Sequence, residues 1–128
     1  MINSFKIGTA IHSLLSQGLE DTDINQKIYP LVAAEGTDFP FIVYKRNNLM
    51  SNNSKDGIFE DSVNFEISII TETYSEGIAI AQKVRQTLEK ETINTDDFTL
   101  NDTKIVSSTE QYLDNVFVQK ITFNTKIN

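Results

Sequence analysis

The residues that most often carry chemistry in proteins are scarce in this chain, which has one histidine, His12, and no cysteine. His12 lies on a predicted helix but outside its apolar stripe, so we expect its side chain to face solvent. A catalytic base needs a nucleophile or an orienting carboxylate within hydrogen-bonding distance, and the sequence places neither beside His12. We therefore predict that the protein is not an enzyme. The lack of cysteine also excludes disulfides and thiolate metal sites.

Two groups of acidic residues have types and spacing that could form a metal or catalytic site. Asp96, Asp97 and Asp102 share one polar segment, but this segment lacks the alternating ligands, central glycine and terminal glutamate of an EF-hand. Glu60 and Asp61 precede a predicted strand, where adjacent side chains point to opposite faces of the sheet, so they cannot act together on one substrate as in glycoside hydrolysis. We predict solvated charges at both places, and no metal or cofactor.

Features that bind phosphate are also weak. Gly36 and Gly57 stand alone, without the glycine pattern or the lysine that serves a nucleotide. Lys45-Arg46 is the only adjacent basic pair, and the formal net charge of −7 opposes attraction to a phosphate backbone. We predict no nucleotide cofactor and no tight nucleic-acid binding, and we expect an ion pair at Lys45-Arg46. The remaining function is to bind other proteins.

Length and composition are those of one ordinary globular domain: 128 residues, of which 39% are hydrophobic and 23% are charged. The longest apolar runs, such as Phe39 to Tyr44, have the length of a strand and are too short to cross a bilayer. Residues 1–8 lack the pattern of an export signal. We expect a single domain over residues 1–128 that is neither exported nor inserted in a membrane.

Apolar periodicity predicts two amphipathic helices. The first runs from Ser4 to Gln17, and Gly18 is expected to stop it. The second follows Thr73, which stands at capping-box spacing from Glu76, and ends near Lys90.

Side-chain alternation and a high content of β-branched and aromatic residues predict strands between and after the helices. The predicted strands are Ile28–Val32, Phe41–Lys45, Ser62–Ile69, Ile105–Tyr112 and Phe117–Thr125. Pro30 restricts the first strand to a sheet edge or a strand end. Asn47–Gly57, rich in asparagine and serine, is predicted to be a long mobile hairpin loop, and Thr92–Asp102 a polar surface connection.

The predicted order is therefore α-β-β-β-α-β-β. Pairing of consecutive strands gives an α+β fold, in which two helices pack on one face of an antiparallel sheet of four to five strands. The residues predicted to form the core are Val43, Phe65, Ile67, Ile69, Val84, Leu88 and Ile121.

The segment from Lys27 to Tyr44, KIYPLVAAEGTDFPFIVY, resembles the tail-completion, or head-tail joining, proteins of long-tailed bacteriophages and prophages. The spacing from Ile-Tyr-Pro to Pro-Phe-Ile-Val-Tyr carries the resemblance most specifically. It continues through Asp61–Ile70 and Thr73–Gly77 into the apolar stripe of the second helix, and thus covers most of the chain.

This resemblance implies a non-enzymatic structural protein that forms a ring, commonly of six copies, at the head-proximal end of the tail tube. Its implied partners are further copies of itself, the tail-tube protein and the head connector. Its implied location is the bacterial host cytoplasm during assembly and then the virion tail. The alternative from a different class is a small intracellular adaptor or regulatory domain, which would have the same composition and fold class.

The polar loop supplies the candidate contacts with partners. We predict a partner interface at Lys45, Arg46, Asn47, Asn48, Leu49 and Met50. Leu49 and Met50 form an apolar pair at an otherwise hydrophilic tip, which predicts insertion between subunits or against the tail tube. The alternative is that both side chains fold back onto the sheet.

Overall fold

The protein is described from a computed structural model, which covers residues 2–24, 26–53 and 59–128. Within these ranges the chain forms one short 3-10 turn, two α-helices and six strands. In chain order they are the 3-10 turn Ser4–Lys6, helix α1 (Ile7–Gly18), strands β1 (Ile28–Pro30), β2 (Phe41–Asn53) and β3 (Phe59–Thr71), helix α2 (Tyr74–Leu88), and strands β4 (Thr92–Asn94), β5 (Thr99–Leu113) and β6 (Val116–Ile127).

The six strands form one sheet in the order β1-β2-β3-β6-β5-β4. Neighbouring strands are antiparallel except β1 and β2, which are parallel. The α+β class is confirmed, but the sheet has six strands rather than four to five and is not purely antiparallel. The parallel pair arises because residues 31–40 bring the chain back to the starting end of β1 before β2 begins. Leu31, with φ of 65°, lies at the beginning of this return.

Both helices pack on the same face of the sheet, as predicted. Their buried side chains join those of the strands in one apolar cluster. Helix α2 begins after Thr73, whose hydroxyl accepts a hydrogen bond from the Glu76 backbone amide at 3.3 Å. This is the N-terminal cap that the sequence predicts.

The end of α1 has a different cause from the predicted one, because Gly18 belongs to the helix. A Cβ atom at Gly18 would lie 2.2 Å from Oγ1 of Thr87 on α2. Glycine at this position therefore allows the two helices to approach closely, and it is not a left-handed terminator.

Six of the seven predicted core residues are buried on the helix face: Phe65, Ile67, Ile69, Val84, Leu88 and Ile121. The prediction for Val43 is wrong. Ile42 and Tyr44 are the buried residues of β2, and Val43 is only half-buried on the opposite face, where it pairs with Ser68. Since Phe41–Tyr44 is apolar throughout, the sequence contains no alternation that could assign the faces of this strand.

The predicted loop Asn47–Gly57 is also corrected, because β2 continues to Asn53 and pairs with β3 from Phe59 onwards. Polar side chains do not prevent this pairing, since the ladder is formed by backbone groups. The segment Ser54–Ile58, which includes Gly57, lies outside the described residues.

The predicted surface connection Thr92–Asp102 contains a sixth strand. Strand β4 pairs with the first residues of β5, and Ile93, Phe98 and Leu100 are buried against the core. A strand of three residues is too short to show a periodic pattern. The polar composition of the segment therefore predicted a surface connection instead of a strand.

Candidate interaction surface

The six predicted interface residues lie in the middle of β2 and not on a loop. Lys45 faces away from the helices, with its ammonium group 3.9 Å from a carboxylate oxygen of Glu66 on β3. Arg46 faces the helices, and its guanidinium carbon lies 4.7 Å from the ring centroid of Phe5. The two cations therefore point to opposite faces. The predicted ion pair is confirmed for Lys45, whereas Arg46 makes a cation-π contact.

A register shift between Arg46 and Asn48 marks a bulge at Asn47, and beyond it the strand is regular again. Leu49 pairs with Val63 and packs against the core, whereas Met50 is 60% exposed. Adjacent residues of a strand point to opposite faces, so Leu49 and Met50 do not form the predicted apolar pair at a tip. Leu49 folds back onto the core, and Met50 alone offers an exposed apolar side chain.

The outer edge of β2 is covered for only a short distance. Strand β1 pairs with Ile42, Val43 and Tyr44. In the described ranges no strand pairs with this edge from Lys45 to Asn53. The backbone groups along it are therefore available to another strand.

Strand β5 has a second edge of the same kind, which sequence reasoning missed. Strand β4 pairs with Thr99, Leu100 and Asn101. From Lys104 to Leu113 no strand in the described part of the chain pairs with the outer side of β5. The only sequence signal was the run of polar residues Ser107–Gln111, which suits a strand exposed on both faces.

This half of β5 projects as a hairpin with β6. Asp114 and Asn115 form its turn, with φ of 52° and 68°, which suits the tight turns that Asn and Asp favour. The predicted hairpin and its turn are thus confirmed. Val106, Tyr112 and Leu113 are exposed on it.

The hairpin is held to the N-terminal end of α2. The Tyr74 hydroxyl donates to a carboxylate oxygen of Glu110 at 2.9 Å, and the Gln119 amide donates to the same oxygen at 2.9 Å. Donation from Gln119, and then from Tyr74, lowers the pKa of Glu110, while the contact with Glu110 raises the pKa of Tyr74. The ring of Phe117 packs against Tyr74 and Tyr112, with centroid separations of 5.9 and 4.8 Å.

The C-terminal end of α2 is tied to the same strand through Glu89. Its carboxylate accepts a hydrogen bond from the Ile105 backbone amide at 2.9 Å and another from Arg85 Nε at 2.8 Å. The Ile105 amide, followed by Arg85, lowers the pKa of Glu89. Strand β5 is therefore anchored to both ends of one helix, which fixes the position of its outer edge.

The face of the sheet opposite the helices is mainly polar. Near its centre the Asn124 amide donates to Oδ1 of Asn64 at 2.8 Å and to the hydroxyl of Ser62 at 3.0 Å. Half-buried apolar side chains, including those of Phe41 and Ile70, occupy one end of this face.

His12 is exposed, as predicted. A surface cleft of about 780 Å³ is lined by Asp23, Lys27, Glu72 and residues 36–40. His12 does not line this cleft, so the structure does not place it among the acidic residues there.

Each acidic group includes a carboxylate that contacts a neighbouring side chain. Asp61 accepts a hydrogen bond from the buried Ser4 hydroxyl, and Asp97 lies 3.6 Å from the Lys6 ammonium. Among the residues with described positions, no three His, Cys, Asp or Glu side chains lie close enough together to hold a metal ion. No helix within the described ranges has the length and apolar character needed to span a membrane.

Comparison with solved structures shows that this fold occurs elsewhere. One similar chain comes from a virion of a native gene transfer agent particle; it is 13% identical, with a TM-score of 0.69, and the match covers 91% of this chain and 92% of that chain. A second solved chain is 10% identical, also with a TM-score of 0.69, over 100% of this chain and 97% of the other. At these identities the likeness shows a shared fold.

Comparison by sequence identifies the family. No curated protein matches the chain. The family described as tail completion protein gp17 matches it over residues 9–126, from the first turn of α1 to the end of β6. The chain therefore belongs to the tail completion protein gp17 family, a family of structural proteins of phage tails.

Proposed function

We propose that this protein caps the head-proximal end of a phage or prophage tail as a ring of six copies and joins the tail to the head connector. The observation that carries the proposal is the family match over residues 9–126. The fold shared with a chain from a gene transfer agent virion supports a place in the assembled particle. The same match favours a tail protein over an adaptor or regulatory domain.

The surface suits assembly better than catalysis. Two long strand edges and an exposed hairpin offer extended contact surfaces, whereas the single histidine lies on open surface. The partners in this proposal are further copies of the chain, the tail-tube protein and the head connector. The protein acts in the host cytoplasm during assembly and then becomes part of the virion tail.

The residues proposed to contact a partner are those in the middle of β2. Lys45 and Met50 present exposed groups on the sheet, and Asn47 and Asn48 lie at the bulge that turns the strand. Arg46 presents its cation on the opposite face, beside Phe5. Leu49 packs against the core and thereby holds this segment of β2 in place.

Deletion of the gene from the phage genome that encodes this chain tests the proposal. Electron microscopy of the lysate is expected to show tails of irregular length without heads, or separate heads and tails, and expression of the wild-type chain is expected to restore virions. Normal virions in the deletion strain would contradict the proposed function.

A matched variant separates assembly from catalysis. His12→Ala changes the only histidine, which is exposed, and it is expected to restore virions as well as wild type does. Failure of a stably folded His12→Ala variant would indicate a role for the imidazole that structural assembly does not require.

A further inference from the structure

We propose that the outer edge of β2 in one copy pairs antiparallel with the outer edge of β5 in the next copy, so that successive copies extend one continuous sheet. The inference rests on the proposed function, because a ring of identical chains needs two different surfaces that fit each other. The occupant of each edge is thus a second copy of this chain.

Strand direction fits this arrangement. Three antiparallel steps, from β2 to β3, β6 and β5, separate the two strands within one sheet. Strands β2 and β5 therefore run in opposite directions, and a copy placed beside β2 with its sheet in the same orientation presents β5 antiparallel to it. Antiparallel strands exchange regular backbone hydrogen bonds.

Both edges are regular enough to act as templates. Beyond its bulge, β2 pairs with β3 without a register shift from Asn48 to Asn53, and β5 pairs with β6 without a shift from Ser107 to Leu113. Neither segment contains proline or lysine, which natural proteins use to block strand addition at an edge. An exposed strand of this kind is ready to pair with another chain.

Charge and side-chain direction select one register. Arg46 on β2 and Glu110 on β5 both point to the helix face, because they pair with Phe65 and Gln119 in their own sheets. Paired residues across a strand boundary share a face, so Arg46 of one copy can lie opposite Glu110 of the next. Opposite charges at paired positions are favourable.

The same register places the hairpin tip beside an apolar cleft. With Arg46 opposite Glu110, the edge pairing stops at the end of β1, which already occupies the outer side of Tyr44, and Tyr112 lies against that end. A cleft of about 260 Å³ lies there, and Phe5 and Leu31 are among its lining residues. Phe5, Leu31 and Tyr112 are all largely exposed in the single chain, so this contact would remove apolar surface from water on both copies.

Cysteine cross-linking tests the register cleanly, because the natural chain has no cysteine. Because the bulge at Asn47 adds one residue to β2, Asn48 is one ladder step beyond Arg46 and lies opposite Thr109 in this register. Both residues are on the face away from the helices, and the Cα separation of paired residues permits a disulfide. Within one chain the two positions are three strand spacings apart, about 14 Å, which is too far for an internal bond. The double variant Asn48→Cys/Thr109→Cys, expressed in the deletion strain, is expected to give a ladder of cross-linked chains from oxidised particles.

The control combines Asn48→Cys with Gln82→Cys, at an exposed position of α2, and it is expected to give no ladder. Particles that contain the Asn48→Cys/Thr109→Cys chain but yield no ladder beyond this control would overturn the edge pairing and leave the proposed function intact. Particles that assemble normally without the chain would overturn both.

A charge exchange adds a functional measurement. Arg46→Glu and Glu110→Arg are each expected to lower phage titre about tenfold or more, and the double exchange is expected to recover most of that loss. Thermal melting of each purified variant shows whether its fold is retained. A stably folded double variant with a titre no higher than that of the single variants would overturn the Arg46 to Glu110 register.

Discussion

Truncation of Phe65 tests which face of the sheet forms the core. The Phe65 side chain is 1% exposed, and its ring stacks on Phe123 with a centroid separation of 5.3 Å and an interplanar angle of 16°. Phe65→Ala removes this stacking and leaves a cavity between two central strands. We expect a loss of about 3 to 5 kcal/mol in the free energy of unfolding, a large share of the about 5 to 15 kcal/mol that holds a typical domain together.

Thermal and urea denaturation of purified protein measure the effect. For a chain of this length, a loss of that size lowers the melting temperature by about 10 to 20 °C, and an unchanged urea m-value would show that unfolding exposes the same surface. Val43→Ala is the matched control, because Val43 is half-buried on the opposite face of the neighbouring strand. It is expected to cost about 1 kcal/mol. A Phe65→Ala variant that melts like wild type, or a larger loss from Val43→Ala, would refute the assignment of faces.

Three further outcomes follow from particular contacts. Gly18→Ala places a Cβ atom 2.2 Å from the Thr87 hydroxyl, so we expect a loss of about 1 to 3 kcal/mol, partly recovered by Thr87→Ala; a neutral Gly18→Ala would contradict the close helix packing. Because the folded-state pKa of Glu89 is lowered, its stabilisation is present above the ordinary glutamate pKa of about 4.3 and is lost as the pH falls through the folded-state value. The stability difference between wild type and Glu89→Gln should therefore shrink on acidification, and a difference independent of pH would count against the ionised contact. Leu49→Ser should lower the melting temperature because Leu49 packs on the core, whereas Met50→Ser, at an exposed site, should not; equal melting of the two variants would contradict this assignment, and a larger loss from Met50→Ser would show that the faces of β2 are exchanged.

Periodic segments of the sequence were sufficient to predict much of the fold. The alternation around Phe65 and the stripe that contains Val84 each place a long row of apolar side chains on one side, and water penalises any arrangement that leaves such a row exposed. The cap at Thr73 was predictable for a similar reason, because a hydroxyl at that spacing satisfies an amide that the helix leaves unpaired.

Features that depend on distant partners were not predictable. The faces of β2 are decided by which side the helices cover, since Phe41–Tyr44 is apolar throughout. Residues Asn47–Asn53 form a strand because β3 supplies backbone hydrogen-bond partners along their length. The polar composition of this segment does not indicate that pairing. Gly18 was expected to terminate a helix, yet its role depends on Thr87, which is far away in the sequence.

The candidate interface was also predictable only in part from the sequence. The sequence directed attention to Lys45–Met50 through composition and the family resemblance, but it could not show that these residues lie on a strand edge, nor that β5 carries a second edge. An edge is defined by where neighbouring strands stop, and here the short strands β1 and β4 leave most of β2 and β5 uncovered. Local residue preferences determined the helices and the central strands, whereas tertiary pairing decided which surface is offered to partners. Hydrogen bonds between strands join segments that are far apart in the sequence, and no local pattern of residues specifies which segments will pair.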